Sequence, residues 1–86
     1  MKIKTEYILK NVAGENVLML LSKTQERKII TLNETALFLF NLIADGKNRD
    51  NLICALLEEY ELDEKTASSD VDAFILTLKE ADILED

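Results

Sequence analysis

Few side chains in this sequence could do chemistry. It contains no histidine and a single cysteine, Cys54. Without histidine there is no Ser-His or Cys-His pair, and the usual general base near neutral pH is missing. Cys54 lies among apolar residues of a predicted helix, where cysteine is more often a small core residue than a nucleophile, so we expect it to be buried. These residue types argue against an enzyme.

Binding sites for metals and cofactors are the next class of chemistry. The acidic run from Glu58 to Glu64 could bind calcium, but it lacks the alternating oxygen ligands and the turn glycine of an EF-hand loop. A solvated helix end and loop explains the run better. One cysteine without histidine makes no zinc site of the usual kinds. The glycines, Gly14 and Gly46, are too isolated for a phosphate-binding loop, so we expect no metal and no cofactor.

Charge is unevenly distributed along the chain. The formal net charge is -7; residues 1–32 carry six basic and three acidic groups, and residues 33–86 carry four basic and fourteen acidic groups. Nucleic acids draw most of their binding affinity from basic side chains on phosphates. The net -10 of the second segment therefore argues against nucleic-acid binding.

Length and composition predict a single globular domain spanning residues 1–86. The sequence is 48% apolar and 31% charged, as in ordinary globular proteins. No apolar run is long enough to cross a bilayer, and the first residues lack the pattern of a signal peptide. A single cysteine excludes an internal disulfide. Together these features favour a cytoplasmic location.

The first third of the chain has strand composition. Residues 7–12 and 17–21 form two apolar runs joined by a turn at Gly14, and residues 28–32 are rich in β-branched side chains. The continuous apolar run at 17–21 is typical of a central strand covered on both faces. Three consecutive strands with short connections predict an antiparallel meander.

Three N-cap residues then mark three helices. Asn33 precedes the first, Asn48 precedes a second that ends near Tyr60, and Asp63 precedes a third that ends near Ala81. The expected core positions are Ala36, Leu39, Phe40 and Ile43 on the first helix, Ile53, Leu56, Leu57 and Tyr60 on the second, and Ala67, Val71, Phe74, Ile75 and Leu78 on the third. The segment Ile83-Leu84 is expected to fold back onto the core. The prediction is an α+β fold, βββααα.

Three stretches of the sequence resemble the PqqD-like family: ILKNVAGENVLML, ITLNETALFLFNLIADGK and LLEEYELDEKTASSDVDAFILTLKEADILED. The likeness extends from about Lys4 to Glu85. It implies a winged helix-turn-helix-like domain that binds the leader segment of a ribosomally made precursor peptide. Such a domain presents the peptide to a separate maturase, typically a radical S-adenosylmethionine enzyme. Where the family often ends its last helix with Gly-Leu, this chain has Asp82-Ile83.

An open sheet edge is where an added peptide strand could bind. A meander has two such edges, and the family resemblance favours the third strand, in a groove bordered by the third helix. The predicted peptide-binding residues are Arg27, Lys28, Ile29, Ile30 and Thr31 on the strand and Asp72, Ile75, Leu76 and Lys79 on the helix. If Ile30 and Leu32 point into the core, Ile29 faces outward. The simpler interpretation is that Ile29 and Leu76 are scattered surface residues, which are common.

Two other functions stay open at this point. A winged-helix DNA-binding regulator would need a basic recognition helix, yet the third helix carries Lys65 and Lys79 against Asp70, Asp72 and Glu80. A non-catalytic assembly subunit could contact a partner through apolar residues off the core stripe of the first helix, and their full burial would remove that argument. These residues are Leu37, Phe38 and Leu42. A homodimer is compatible with each function.

Overall fold

The structure is a computed structural model that describes residues 2–3, 6–21 and 28–85. Its elements are, in chain order, β1 (Lys2–Ile3), β2 (Glu6–Val12), β3 (Glu15–Leu21), β4 (Lys28–Leu32), α1 (Glu34–Ala44), α2 (Arg49–Glu59), α3 (Glu64–Glu80) and β5 (Leu84–Glu85). Strands β2, β3 and β4 form an antiparallel sheet in that order, and β1 pairs with β5. The predicted α+β fold, three strands followed by three helices, is confirmed. The short β1–β5 ladder was not predicted.

Strand β3 is the centre of the sheet, but only one of its faces is covered. Leu18 and Leu20 are buried against the helices, whereas Val17 and Met19 point to the other face and are half-buried. Met19 is flanked on that face by Ile8 and Ile29, which are 39% and 64% exposed. The prediction of a strand covered on both faces is therefore wrong. A continuous apolar run occurs here because the outer face is itself apolar.

A two-residue turn, Ala13-Gly14, joins β2 to β3. Both residues have positive φ, 52° and 86°, as a type I′ turn requires. The flanking residues Val12 and Glu15 are opposite each other and close the turn as a hydrogen-bonded pair. Such pairs recur at every second residue of an antiparallel ladder. Even-numbered residues of β2 therefore bond to β3, and even-numbered residues of β3 bond to β4.

The predicted N-caps are confirmed on all three helices. The side chain of Asn33 accepts a hydrogen bond from the Ala36 N–H at 2.8 Å, and Asn48 and Asn51 bond reciprocally at 2.9 and 3.0 Å. Asp63 caps α3 by accepting from the Thr66 N–H at 2.7 Å. Hydrogen bonds from Thr66, from its side chain and its main chain, hold the pKa of Asp63 below its usual value. Each cap satisfies a donor that the first turn leaves unpaired.

The core lies between the inner face of the sheet and the three helices. Its buried helical residues are Leu39, Phe40 and Ile43 on α1, Leu52, Ile53 and Leu56 on α2, and Ala67, Val71 and Leu78 on α3. Ala36, Tyr60, Phe74 and Ile75 are half-buried and pack against this cluster. The ring of Tyr7 on β2 meets Phe40 edge-on, with centroids 5.0 Å apart.

Two sequence expectations on α2 are wrong. Leu57 is 37% exposed and Leu52 is fully buried in its place, so the buried stripe of this helix is centred on Leu52, Ile53 and Leu56. Cys54, which follows Ile53, lies on the solvent side of this stripe and is exposed rather than buried. The acidic end of the helix gave no periodic signal with which to fix its rotation.

Helix α3 ends in a backbone motif that returns the chain to the core. The N–H of Ile83 donates to the carbonyl of Leu78, and the N–H of Asp82 donates to that of Lys79, each at 3.0 Å. This is a Schellman motif, and it places Asp82 at φ 60°, where glycine is usual. Ile83 and Leu84 are buried, as predicted, and Leu84 pairs with Ile3 of β1.

Candidate functional site

Strand β4 is one edge of the sheet, and in the described ranges it pairs with β3 alone. Its side chains alternate as expected. Leu32 is buried and Ile30 is half-buried on the core face, while Ile29 and Thr31 are exposed on the other. Ile29 is 64% exposed, the largest value among the large apolar residues of the described chain. A solvent-exposed apolar residue therefore lies on an open edge.

The ladder shows which backbone groups of β4 are unpaired. Leu18 is opposite Ile30, and even-numbered residues of β3 bond to β4. The N–H and C=O groups of Ile30 are thus used inside the sheet, whereas those of Ile29 and Thr31 point to the open edge. An extended peptide could bond to these groups without disturbing the internal ladder. Arg27 and the side chain of Lys28 lie outside the described part of the structure.

A cleft of about 330 Å³ opens between the start of α1 and the middle of α3. It begins at Asn33, the residue directly after β4. Its lining residues are Asn33, Thr35, Ala36, Leu39, Asp70, Ala73, Phe74 and Thr77. Phe74 and Leu39 contribute apolar surface to it, while Asn33, Asp70 and Thr77 contribute polar groups. Such a mixture suits a side chain with an apolar body and a polar end.

The cleft does not include the helical residues predicted from the sequence. Asp70, Ala73, Phe74 and Thr77 are spaced three and four residues apart and share one side of α3. The predicted residues Asp72, Ile75, Leu76 and Lys79 lie on other sides of the helix and do not line the cleft. Ile75 packs against the core, and Leu76 is 56% exposed. Their role in peptide binding stays a prediction.

Asp72 already has a partner on the neighbouring helix. Its carboxylate accepts from the guanidinium of Arg49 in two places, from Nε at 2.6 Å and from the second terminal nitrogen at 3.0 Å. The hydrogen bond from Arg49 holds the pKa of Asp72 below its usual value, and the same contact raises the pKa of Arg49. The pair is solvent-exposed and ties α2 to α3. Asp72 therefore has a structural explanation that requires no peptide.

The sequence does contain a signal for the cleft. Asp70 to Thr77 shows the i, i+3, i+4, i+7 spacing of one helix face, beside the core stripe. The sequence predicts a core position for Phe74, and Phe74 does pack against the core while it also lines the cleft. Periodicity alone could not show that α1 would face this side.

Other types of site find little support in the described chain. Among the residues the structure describes, no three metal-binding side chains cluster closely enough to hold an ion. No helix in those ranges is long and apolar enough to span a membrane. The off-stripe residues of α1, Leu37, Phe38 and Leu42, are half-buried and pack against the core, so the full burial that would remove the assembly hypothesis is not observed.

Comparison with known proteins adds family evidence to this geometry. The chain is similar over its whole length to two solved structures. One is TbiB1 in complex with the TbiA(beta) leader peptide, with 25% identity, a TM-score of 0.82, and coverage of 99% of this chain and 95% of that one. The other is a lasso peptide synthetase B1 complexed with the leader peptide, with 23% identity, a TM-score of 0.80, and coverage of 98% and 95%. At this identity the second match shows the fold alone.

Family membership rests on a sequence model. The comparison with curated proteins gives no match. The family model described as Coenzyme PQQ synthesis protein D (PqqD) matches residues 6–84, which include the central sheet, all three helices and the buried segment that follows α3. The chain therefore belongs to the PqqD family.

Proposed function

We propose that this protein binds the leader segment of a ribosomally synthesised precursor peptide and presents it to a separate modifying enzyme, without catalysing a reaction itself. The observation that carries the proposal is the open edge of β4, which ends beside a cleft between α1 and α3. Membership of the PqqD family supports it, as does the leader peptide bound in the similar structure of TbiB1. The family resemblance favours a radical S-adenosylmethionine enzyme as the partner.

In this proposal the leader adds a strand to β4. Its backbone forms hydrogen bonds with the outward N–H and C=O groups of Ile29 and Thr31. A peptide of any sequence could form these bonds, so they do not provide specificity. Specificity comes from its side chains, which alternate between the two faces of the new strand. Those on one face contact Ile29. Those on the other face reach toward the cleft at Phe74 and Ala73.

The second wall of the groove has two candidate faces on α3. The cleft face carries Ala73 and Phe74, and the face predicted from the sequence carries Asp72, Leu76 and Lys79. The cleft face is concave and adjoins the end of β4, whereas Leu76 projects from the surface and Asp72 is bonded to Arg49. We therefore assign the main side-chain contacts to the cleft face. Lys28, the first residue of β4, and Arg27, which precedes it in the sequence, are basic and would suit a leader with acidic residues.

Binding of this kind is expected to be moderate in strength. A free leader is disordered, and ordering it offsets part of the gross interaction energy. Micromolar affinity corresponds to about -8 kcal/mol. A complex of that strength releases its peptide readily to the modifying enzyme.

The test is to search the adjacent genes for a short precursor peptide, label that peptide, and titrate it with this protein by fluorescence anisotropy. Ile29→Pro removes an outward N–H while leaving the internal bonds of Ile30 in place, so we expect affinity to fall about tenfold or more. The matched variant Ile29→Ala keeps the N–H and removes only the side chain, and its loss should be smaller. Circular dichroism confirms that the helices still form.

Two results would contradict the proposal. The first is no binding by the wild-type protein, alone or with the modifying enzyme present. The second is equal affinity for wild type and Ile29→Pro, which would place the peptide away from the β4 edge.

A further inference from the structure

The sheet has a second open edge at β2. In the described ranges β2 pairs with β3 alone, over seven residues, so this edge is longer than the five-residue edge of β4. Three of the exposed large apolar residues of the molecule lie on it: Tyr7, Ile8 and Val12. It has no proline and no bulge to block pairing. Edges of this kind pair readily with another strand unless something prevents it.

The same ladder argument gives the unpaired backbone groups of β2. Its even-numbered residues bond to β3, so the N–H and C=O groups of Tyr7, Leu9 and Asn11 point to the open edge. Two antiparallel copies of β2 can bond only if outward groups meet outward groups. The outward residues are odd-numbered, so each must lie opposite an odd-numbered residue of the other copy. The two-fold axis therefore passes through one residue of the strand and not midway between two neighbouring residues.

Charge then selects one axis. Glu6, Ile8 and Lys10 share the outer face of the sheet, because they lie opposite Leu21, Met19 and Val17. An axis at Ile8 places Glu6 opposite Lys10 of the partner subunit, and places Lys10 opposite Glu6 of the partner subunit. The two copies of Ile8 then meet at the centre as a non-hydrogen-bonded pair, in which side chains are closest.

The neighbouring registers lack this match. An axis at Leu9 would place Lys10 opposite Ile8 of the partner subunit and Glu6 opposite Val12 of the partner subunit. In the described part of the chain, neither Glu6 nor Lys10 forms an ion pair of its own, and both are exposed. Charged residues often protect an edge from association. Here the same two charges are self-complementary.

We propose that two copies of this protein associate through β2, with Ile8 on the two-fold axis, to form a continuous six-stranded sheet. The inference goes beyond leader binding and leaves it undisturbed, because β4 lies at each outer end of the joined sheet and both β4 edges stay open. An interface made of one strand per copy is small, and small interfaces are weak and transient. Each copy carries a net charge of -7, but the strand itself is neutral, so repulsion is least at this contact.

Sedimentation equilibrium between about 10 µM and 1 mM tests the proposal over the range expected for a small interface. Lys10→Glu places like charges opposite each other at two positions, and we expect the dimer dissociation constant to rise about tenfold or more. The double variant Glu6→Lys/Lys10→Glu exchanges the two charges and should restore the wild-type value to within about threefold. Lys65→Glu makes the same charge change on α3 and serves as the matched control.

A second measurement reports the register directly. Two cysteines at the centre of a non-hydrogen-bonded pair are close enough for a disulfide. In a Cys54→Ser background, Ile8→Cys should cross-link to its own copy, with oxidised glutathione accepting the two electrons. Val12→Cys lies on the same face away from the axis and should cross-link far less. Wild type that stays monomeric throughout would overturn the proposal, as would a double variant as weak as Lys10→Glu or equal effects of Lys10→Glu and Lys65→Glu.

Discussion

The two edges of the central sheet have the same backbone chemistry and different surroundings. The β4 edge has a helical cleft at its end, and its exposed apolar residue, Ile29, is followed on the same face by the uncharged Thr31. A cleft of about 420 Å³ also reaches the β2 edge at Tyr7, on the core side of the sheet. On its outer face, however, β2 carries Glu6 and Lys10 symmetrically about Ile8. A cleft discriminates among foreign side chains, whereas a symmetric charge pattern recognises a second copy of itself. The partner that each edge can bind therefore depends on the cleft or the charged side chains next to the strand, and not on its backbone.

The largest effect should come from breaking the ladder that joins β4 to the centre of the sheet. Ile30→Pro removes an N–H that bonds inward to the partner position at Leu18, and it also removes a half-buried side chain. We expect the free energy of unfolding to fall by about 3 kcal/mol or more. Urea denaturation measures it. Ile29→Pro, one residue away, serves as the control and should cost much less. A larger loss in Ile29→Pro than in Ile30→Pro would show that the two strands pair with the opposite set of backbone groups.

A smaller effect should separate the two edges. Ala73→Leu fills the cleft beside β4, so we expect leader affinity to fall about tenfold while dimerisation is unchanged. Ser69→Leu adds the same side chain to an exposed position of α3 outside the cleft and is the control. Anisotropy and sedimentation on the same samples provide both readouts. Unchanged peptide affinity in Ala73→Leu would move the contact to the face that carries Leu76.

The smallest effect concerns the turn that supports the β2 edge. Ala13 has φ 52°, a conformation that costs an alanine more than an asparagine or a glycine. Ala13→Asn should therefore raise the free energy of unfolding by about 0.5 to 1 kcal/mol without altering peptide affinity. The midpoint of urea denaturation reports the change, provided that its slope is constant. A loss of stability would mean that this turn is not of type I′.

Much of the fold was predictable because local signals agreed with one another. Asn33, Asn48 and Asp63 each precede a helix and each cap it, and Gly14 marks the turn where expected. The alternation of Ile29, Ile30 and Leu32 gave the correct inner face of β4. These features depend on a few neighbouring residues. Caps and strand alternation are therefore visible in the sequence.

The errors arose where the answer depends on distant packing. Leu57 and Leu52 are equally apolar, and only the contact between α2 and its neighbours decides which is buried. The apolar outer face of β3 looked like a buried strand, because a run of apolar letters does not show whether a layer lies above it. The cleft was missed for the same reason. Its two walls come from α1 and α3, whose nearest lining residues, Leu39 and Asp70, are 31 positions apart in the sequence.

The ladder between β1 and β5 has a topological consequence. Ile3 pairs with Leu84, so segments at opposite ends of the described chain lie side by side. A covalent link between these two segments would only have to span the distance between paired strands, about 5 Å, and would close the described chain into a ring. New ends could then be opened at the exposed turn around Gly46 without crossing the core, the geometry under which circular permutation is tolerated.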